Sequence, residues 1–354
     1  VPWRAGALSV FAVLAGERSG DQLGAAVVRQ LDARFVGITG PALRQAGCES
    51  IGSVDELSLV GISEIVGELP RLARRMAQLE REITALRPTA VLSIDSPSFN
   101  LRLAPRLRRQ GIPVVHWVAP QVWAWRPGRA ARIAASVDAL ACLFPFEPGL
   151  FGPKARFTGH PAGTAPISAR PEAVGIAAGS RPHERRRLGP VFAAAAAQLG
   201  LPIVEAVPPG LHPVCPGARQ VPSAAAMAQQ VRVALVCAGT ATLELGVAGV
   251  PMVVAYQTSP ISYRLGRRLL RVGSIALPNL LLGRALVPEQ VQQLDPTALA
   301  RDAASLLGSR GDPVSAALLE LRALLSAPTA ISAVAQLLDS YRTSSHFAAS
   351  TKSL

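Results

Sequence analysis

Two doubly wound α/β lobes in series are the fold this sequence predicts, and three features predict it. The chain has 354 residues, beyond the size at which a single hydrophobic core keeps growing, so it reads as two domains. It is 49% hydrophobic and 17% charged, the composition of a compact globular protein, and its low aromatic content argues against a carbohydrate-binding β-sandwich. Apolar strand-like runs alternate with helical ones, which is the pattern of βαβ units on a parallel sheet.

In order along the chain, the run from Leu8 to Leu14 leads into a polar turn and a helix from Asp21 to Leu31. Val1 to Gly16, with Arg4 ahead of the apolar run, has the outline of a secretory leader; its continuation into turn and helix favours a first β-strand. Ala90 to Ile94 followed by Leu101 to Gln110, and Val114 to Val118 followed by Arg129 to Ala135, repeat the unit. A second set starts with a strand from Gly175 to Gly179, continues through Pro202 to Val207 and ends in Val233 to Tyr256. That last stretch is long enough to span a bilayer. Gly239, Thr240, Thr242, Glu244, Gly249 and Pro251 instead break it into strand, turn, helix, turn and strand, so membrane contact is expected to be peripheral.

Pro and Gly between Thr158 and Ser180 mark a hinge, and Leu318 to Tyr341 reads as an amphipathic helix ahead of a frayed end from Thr343 to Leu354. Val207 to Ala224 is Pro-rich and predicts no regular element. The expected domains are therefore 1–165, 166–317 and a terminal helix and tail over 318–354. In open parallel sheets ligands sit beyond the carboxyl ends of the strands, so two such lobes facing each other would enclose a cleft.

A formal charge of +13 favours anionic partners: nucleic acid, phosphorylated substrates or an anionic membrane surface. No nucleic-acid reading module is present, which sets the first aside. Cys48, Cys142, Cys215 and Cys237 are far apart, lack metal-ligand spacing and read as reduced, buried thiols. No His/Asp/Ser nucleophile arrangement emerges, and His116 and His160 read as core residues.

Six stretches are candidates for chemistry. Ala15 to Ala25, AGERSGDQLGA, turns from strand to helix; Ser19 or Asp21 can cap that helix, and Glu17 is a carboxylate placed where a cleft would open. Ser93 to Asn100, SIDSPSFN, puts Asp95 at the carboxyl end of a buried strand, either as a helix cap or as a general base. His116 to Arg132 holds Trp117, Trp123 and Trp125, with Arg126, Arg129 and Arg132 at three-residue spacing. These are core aromatics beside a solvated face, or an amphipathic surface for lipid headgroups and acyl chains. Gly175 to Glu184 offers Arg181 as a diphosphate clamp or a plain surface arginine. Cys237 to Tyr256 contains a Gly-Thr-Ala-Thr turn that lets phosphate approach the backbone, with Glu244 one turn later able to accept ribose hydroxyls or simply to favour the helix start. Asn279 is the single amide in the apolar loop from Ile275 to Glu289.

Taken together and in this order, AGERSGDQLGA, SIDSPSFN, VWAWRPGR, PFEPGLF, FTGHP, GSRPHE, GTATLE, PMVVAY and LPNLLLGRALVPE resemble the lipid-A-disaccharide synthase family. The resemblance covers most of the chain. It implies a GT-B type architecture of two Rossmann-like lobes, an N-terminal acceptor and acyl-chain lobe and a C-terminal UDP-binding lobe. It also implies an inverting reaction in which UDP-diacylglucosamine and diacylglucosamine 1-phosphate (lipid X) give the β(1→6)-linked disaccharide phosphate and UDP, without metal or other cofactor.

Carried over by position, Asp95 is the base for the acceptor hydroxyl and Glu17 a second catalytic acid that orients sugar or acceptor. Arg181 contacts the diphosphate, Thr240, Ala241 and Thr242 cradle phosphate, and Glu244 takes the ribose. Ser19, Asp21, Asn100, Asn279 and Glu289 complete the expected substrate-binding set. Leu59, Val60 and Ile62, with Trp117, Trp123, Trp125, Arg126 and Arg129, form the expected acyl and membrane surface. The implied location is the cytoplasmic face of the inner membrane, peripherally bound, with a homodimer among the assemblies allowed. The segments from His160 to Gly175 and Val207 to Gln230 are shorter than the family pattern. Two alternatives fit fewer of the motifs: another GT-B enzyme such as a UDP-sugar epimerase, and a relative that binds nucleotide or lipid without turnover.

Overall fold

The computed structural model describes residues 9–54, 56, 65–164, 171–260, 263–264, 273–326 and 329–350, without the side chains of 65–72, 163–164 and 343–350. Leu59, Val60 and Ile62 lie outside the described residues. The chain divides into two compact units, Val1–His160 with Pro328–Leu354, and Pro161–Ala327.

The first unit is built on seven parallel strands: β1 (Val10–Ala15), β2 (Arg34–Thr39), β3 (Glu49–Ser53), β4 (Ala90–Ile94), β5 (Val114–Trp117), β6 (Ala139–Cys142) and β7 (Ala155–Phe157), in the order β3-β2-β1-β4-β5-β6-β7. Central strands such as VFAVLA and AVLSI are apolar on both faces because crossover helices cover both faces. Those helices are α1 (Arg18–Val28), α2 (Pro41–Gln45), α3 (Ile65–Leu86), α4 (Pro97–Arg109), α5 (Ala130–Ser136) and α6 (Glu147–Phe151). Met76, Leu79 and Ile83 of α3 are buried at helical spacing, so one stripe faces the sheet and the charged remainder faces water.

The second unit carries six parallel strands, β8 (Val174–Ala177), β9 (Ile203–Ala206), β10 (Arg219–Val221), β11 (Val233–Cys237), β12 (Met252–Tyr256) and β13 (Glu289–Val291), in the order β10-β9-β8-β11-β12-β13. Around them run α7 (Pro182–Ala197), α8 (Ala224–Met227), α9 (Thr240–Val247), α10 (Leu277–Leu282), α11 (Pro296–Leu307) and α12 (Gly311–Ser326). Val233 to Tyr256 is strand, helix and strand, as its glycines and polar residues require. The Pro-rich Val207 to Ala224 holds a short strand, β10, where the sequence predicts no element. A buried Arg185–Glu205 pair organises this segment. Arg185 donates to the carbonyls of Ala206 (3.3 Å) and His212 (2.8 Å), while Glu205 accepts from the amides of Val214 and Cys215 (each 2.9 Å).

The stretch from Leu318 to Tyr341, expected as one amphipathic helix, is shared between the units. Val314 and Leu318 of α12 are buried in the second core. Val334, Ala335 and Leu338 of the last helix, α13 (Ala330–Ser350), are buried in the first, and α13 continues past Thr343, where the sequence predicts fraying. Gly311–Arg342 is long and apolar enough to cross a membrane, but its buried Leu318 and Leu338 belong to these two cores.

Candidate functional site

In the first sheet β1 and β4 are neighbours and the strand order reverses between them, so a crevice opens beyond their carboxyl ends. Gly16 and Glu17 leave β1 there, and Asp95 and Ser96 leave β4. The two turns touch: a Cβ on Gly16 would run into the Ser96 side chain, so only glycine fits. Glu17 is the exposed N-cap of α1, beside exposed Ser19.

Asp95 and Ser96 both adopt left-handed backbone, with φ of 52° and 48°, a conformation that costs about 1–3 kcal/mol per non-glycine residue. A web of hydrogen bonds holds them in it. The Asp95 amide donates to the Trp117 carbonyl (2.9 Å), the Ser96 amide to Asp95 Oδ1 (2.8 Å), and Asn100 Nδ2 to the carbonyls of Asp95 (2.8 Å) and Ile94 (3.2 Å). Burial raises the Asp95 carboxyl above the usual aspartate range, with the Ser96 amide pulling partly back. Asp95 is not a helix cap, since the N-cap of α4 is Ser96. It is a half-buried carboxylate of raised proton affinity at the switch point, which is what a general base requires.

Two residues expected at the substrate have other work. Asp21 is 2% exposed and caps α2 from a distance: Oδ1 accepts from the amides of Gly40 (2.6 Å) and Leu43 (3.1 Å), and Oδ2 from Ala42 (2.8 Å). Asn100 is 1% exposed and its NH2 group is spent on the strand-end carbonyls, so it orders the Asp95 turn, while its buried Oδ1 has no hydrogen-bond partner among the described residues.

In the second sheet the order reverses between β8 and β11. Arg181 leaves β8 as the N-cap of α7, its side chain 70% exposed and Nη1 donating to Glu184 Oε1 (3.1 Å). Gly239 leaves β11 with φ of 145° and opens α9, where Gly239 and Thr240 are exposed. Two helix N-termini and a tethered guanidinium therefore share one sheet edge, a site for an anion. Thr242 departs from expectation: it is buried and its hydroxyl donates to the Gly239 carbonyl (2.7 Å), so it shapes the turn from within. Ala241 is partly exposed beside it. Glu244 is half-buried; Oε2 accepts from the Ala225 amide (3.0 Å), and burial raises its pKa against that bond.

Asn279 and Glu289 are likewise internal. Asn279 donates to the Val287 carbonyl (2.8 Å) and Glu289 Oε1 (2.7 Å) and accepts from the amides of Leu286 (2.8 Å) and Val287 (2.9 Å). Glu289 also accepts from Ser274 Oγ and the amides of Ile275 (2.9 Å) and Ala276 (3.2 Å). Both hydrogen-bonding ends of the amide are satisfied within the loop, so Asn279 is its brace and not a ligand contact.

The three tryptophans separate. Trp117 is 0% exposed in the core, which removes it from any acyl or membrane surface. Trp125 is 40% exposed with the Arg126 guanidinium 4.4 Å over its ring, and Arg126 and Arg129 are exposed. Trp123 is half-buried and donates to Glu147 Oε1 (3.2 Å). His116 is buried with Nδ1 2.8 Å from Ser93 Oγ, and burial holds both His116 and His160 near pKa about 4. All four cysteines are free and buried, and no cluster of three or more potential metal ligands forms among the described residues.

Glu147 and Glu184 were not singled out by sequence reasoning. The signal for Glu184 was its place in the first turn of α7, three residues after Arg181, where Oε2 accepts from the Arg181 amide (3.2 Å). No local pattern points to Glu147, because its Trp123 partner is 24 residues away.

A family model described as lipid-A-disaccharide synthetase matches residues 11–200 and 221–317. The lipid-A-disaccharide synthase of Anaeromyxobacter dehalogenans is 38% identical over 92% of this chain and 95% of its own length. Among solved structures, the glycotransferase of kitacinnamycin superposes with a TM-score of 0.65 at 17% identity, covering 94% of this chain and 99% of that one. UDP-GlcNAc 2-epimerase from Neisseria meningitidis, solved with UDP-GlcNAc, gives 0.60 at 11% identity, covering 94% and 99%. The likeness to both a transferase and an epimerase establishes the two-lobed GT-B fold alone.

Proposed function

Because the chain belongs to the lipid-A-disaccharide synthetase family and is thereby a glycosyltransferase of lipid A biosynthesis, we propose that it joins UDP-2,3-diacylglucosamine to 2,3-diacylglucosamine 1-phosphate, forming a β(1→6) disaccharide phosphate and releasing UDP. The observation that carries this reading is the extent of the match, which runs through both units and includes both switch points.

In the proposed division of labour, the first unit handles the acceptor and the second the nucleotide. Asp95 takes the proton from the acceptor hydroxyl as it attacks the anomeric carbon, a role worth about a hundred- to ten-thousand-fold. Its raised proton affinity and strained, hydrogen-bonded turn support that role. Glu17 and Ser19, exposed on the opposite side of the same crevice, orient sugar or acceptor. The departing UDP leaves negative charge on its phosphates, and the N-termini of α7 and α9 with Arg181 and Thr240 supply fixed positive potential for it. That set of groups supports a reaction without metal. The second oxygen of Glu244 faces no hydrogen-bond partner among the described residues and is offered to the ribose.

Exposed Trp125, Arg126 and Arg129 support a peripheral seat on the cytoplasmic face of the inner membrane. The deciding assay mixes acylated donor and acceptor in detergent, with and without EDTA, and follows UDP and disaccharide. Product formation at equal rates in both supports the proposal. Turnover of unacylated UDP-N-acetylglucosamine equal to that of the acylated donor, or UDP binding with no disaccharide, overturns it.

A further inference from the structure

Glu147 is a fully buried acid with no assigned task. It opens α6 just beyond the carboxyl end of β6, on the same rim of the first sheet that carries Glu17 and Asp95. Oε2 accepts from the amides of Leu143 (3.0 Å) and Phe144 (3.0 Å), and Oε1 from Trp123 Nε1 (3.2 Å). All three partners are donors and none can accept, so the site fits only an acceptor on both oxygens. The carboxylate thereby ties the turn after β6 to the turn after β5.

What it ties down is an aromatic assembly. Trp123 packs edge-on against Phe144 (6.1 Å between centroids) and Phe146 (5.4 Å), the two phenyl rings stack at 5.8 Å and 4°, and His160 stacks on Phe144 at 5.8 Å. Phe146 is 41% exposed, one of two large hydrophobic residues so exposed among the described residues. The single polar atom of Trp123 is consumed by Glu147, so the outward surface of Trp123 and Phe146 is apolar and suits a hydrocarbon chain better than sugar hydroxyls.

We propose that Glu147 is a positioning residue for acceptor binding, holding Trp123 against Phe144 and Phe146 as an apolar shelf that seats an acyl chain of the acceptor. The inference rests on the reaction proposed above. Burial raises the Glu147 pKa to about 7 despite its three hydrogen bonds. A proton settles on Oε1, since Oε2 already serves two amides, and it then competes with the indole N–H. The surrounding elements contribute Cys142 at the end of β6, Arg156 on β7, Arg132 on α5, Arg126 and Arg129 before α5, and His160. None of the arginines pairs with Glu147, burial pushes the Cys142 thiol up, and His160 is neutral above about 4, so Glu147 alone among them changes charge near neutrality.

The test uses the full chain with E147Q and W123F. The glutamine is isosteric but sets an NH2 group against a donor in either orientation; the phenylalanine removes the indole N–H together with part of the ring surface and leaves the acid in place. Acceptor KM is expected to rise about tenfold in both variants while kcat falls less than about threefold and donor KM holds. The penalty should vanish for an acceptor with shortened acyl chains. Wild-type acceptor KM should climb as pH drops through about 7, and that of E147Q should stay flat. Acceptor KM within about twofold of wild type in W123F, or equal losses for long- and short-chain acceptors, overturns the proposal. If E147Q does not fold, W123F decides. If the wild type makes no disaccharide, the reaction is wrong; calorimetric titration of the three proteins with diacylglucosamine 1-phosphate then judges the shelf, equal affinities overturning it.

Discussion

Replacing Asp21 by alanine separates a capping role from a ligand role. In the native protein its two oxygens take three amide donors, those of Gly40, Ala42 and Leu43, at the start of α2. Alanine leaves them without acceptors in a site that is 2% exposed. An unsatisfied buried donor costs about 1–3 kcal/mol, and solvation of the frayed turn returns part of that, so D21A should lose about 4 kcal/mol. Asparagine keeps an oxygen for Gly40 and Leu43 but turns its NH2 on the Ala42 amide, so D21N should lose about 2 kcal/mol. For a cooperative unit of this size the alanine loss lowers the first unit's melting temperature by roughly 8–15 °C. Gly40→Ala should behave similarly, because a Cβ there would press on the Asp21 carboxylate. Calorimetric melts of the three variants, with acceptor and donor KM measured well below each transition, check this. A normal melt together with a tenfold rise in either KM would return Asp21 to the substrate and refute the argument.

Asp95→Ala should lower kcat about a hundred- to ten-thousand-fold with donor affinity nearly intact, and activity within a few-fold of wild type would remove Asp95 as the base. Asp95→Gly should be equally inactive yet melt higher, because glycine relieves the left-handed strain at φ of 52°. Arg185→Met leaves Glu205 charged and buried without its partner, so urea unfolding should show a loss of about 3–5 kcal/mol; the double Met variant at 185 and 205 should recover part of it, and no recovery would contradict a charge origin. His116 and His160, held near pKa about 4, bind fewer protons native than unfolded, so their stabilisation is present above the usual histidine range and is lost as pH falls toward 4. Glu147 has the opposite sign, binding more protons native than unfolded, and destabilises as pH rises from the usual glutamate range to about 7. His116→Phe should flatten the acid limb of a stability-pH curve, and an unchanged limb would count against the histidine assignment.

The sequence by itself determined the two parallel sheets, their central strands and the turns that carry Glu17, Asp95, Arg181 and Thr240. Apolar runs buried on both faces have to sit in sheet interiors, and the residues that follow them have to emerge at the carboxyl edge, so periodicity and punctuation place those groups without further help. Strands such as β3, β7 and β13 escaped notice because short or edge strands carry too few apolar residues to stand out.

Only the tertiary structure decided which polar groups are spoken for. Asp21, Asn279 and Glu147 look from their local sequence like groups available to a ligand or to nothing in particular. Their partners lie 19–22, 7–10 and up to 24 residues away in sequence. Trp117 reads like its neighbours Trp123 and Trp125 until the pairing of β5 between β4 and β6 puts it inside. Helical and strand periods report which face of an element turns inward; they carry no information on which distant amide arrives there, because that is set by the crossovers between strands and by the rule that a buried donor must find an acceptor.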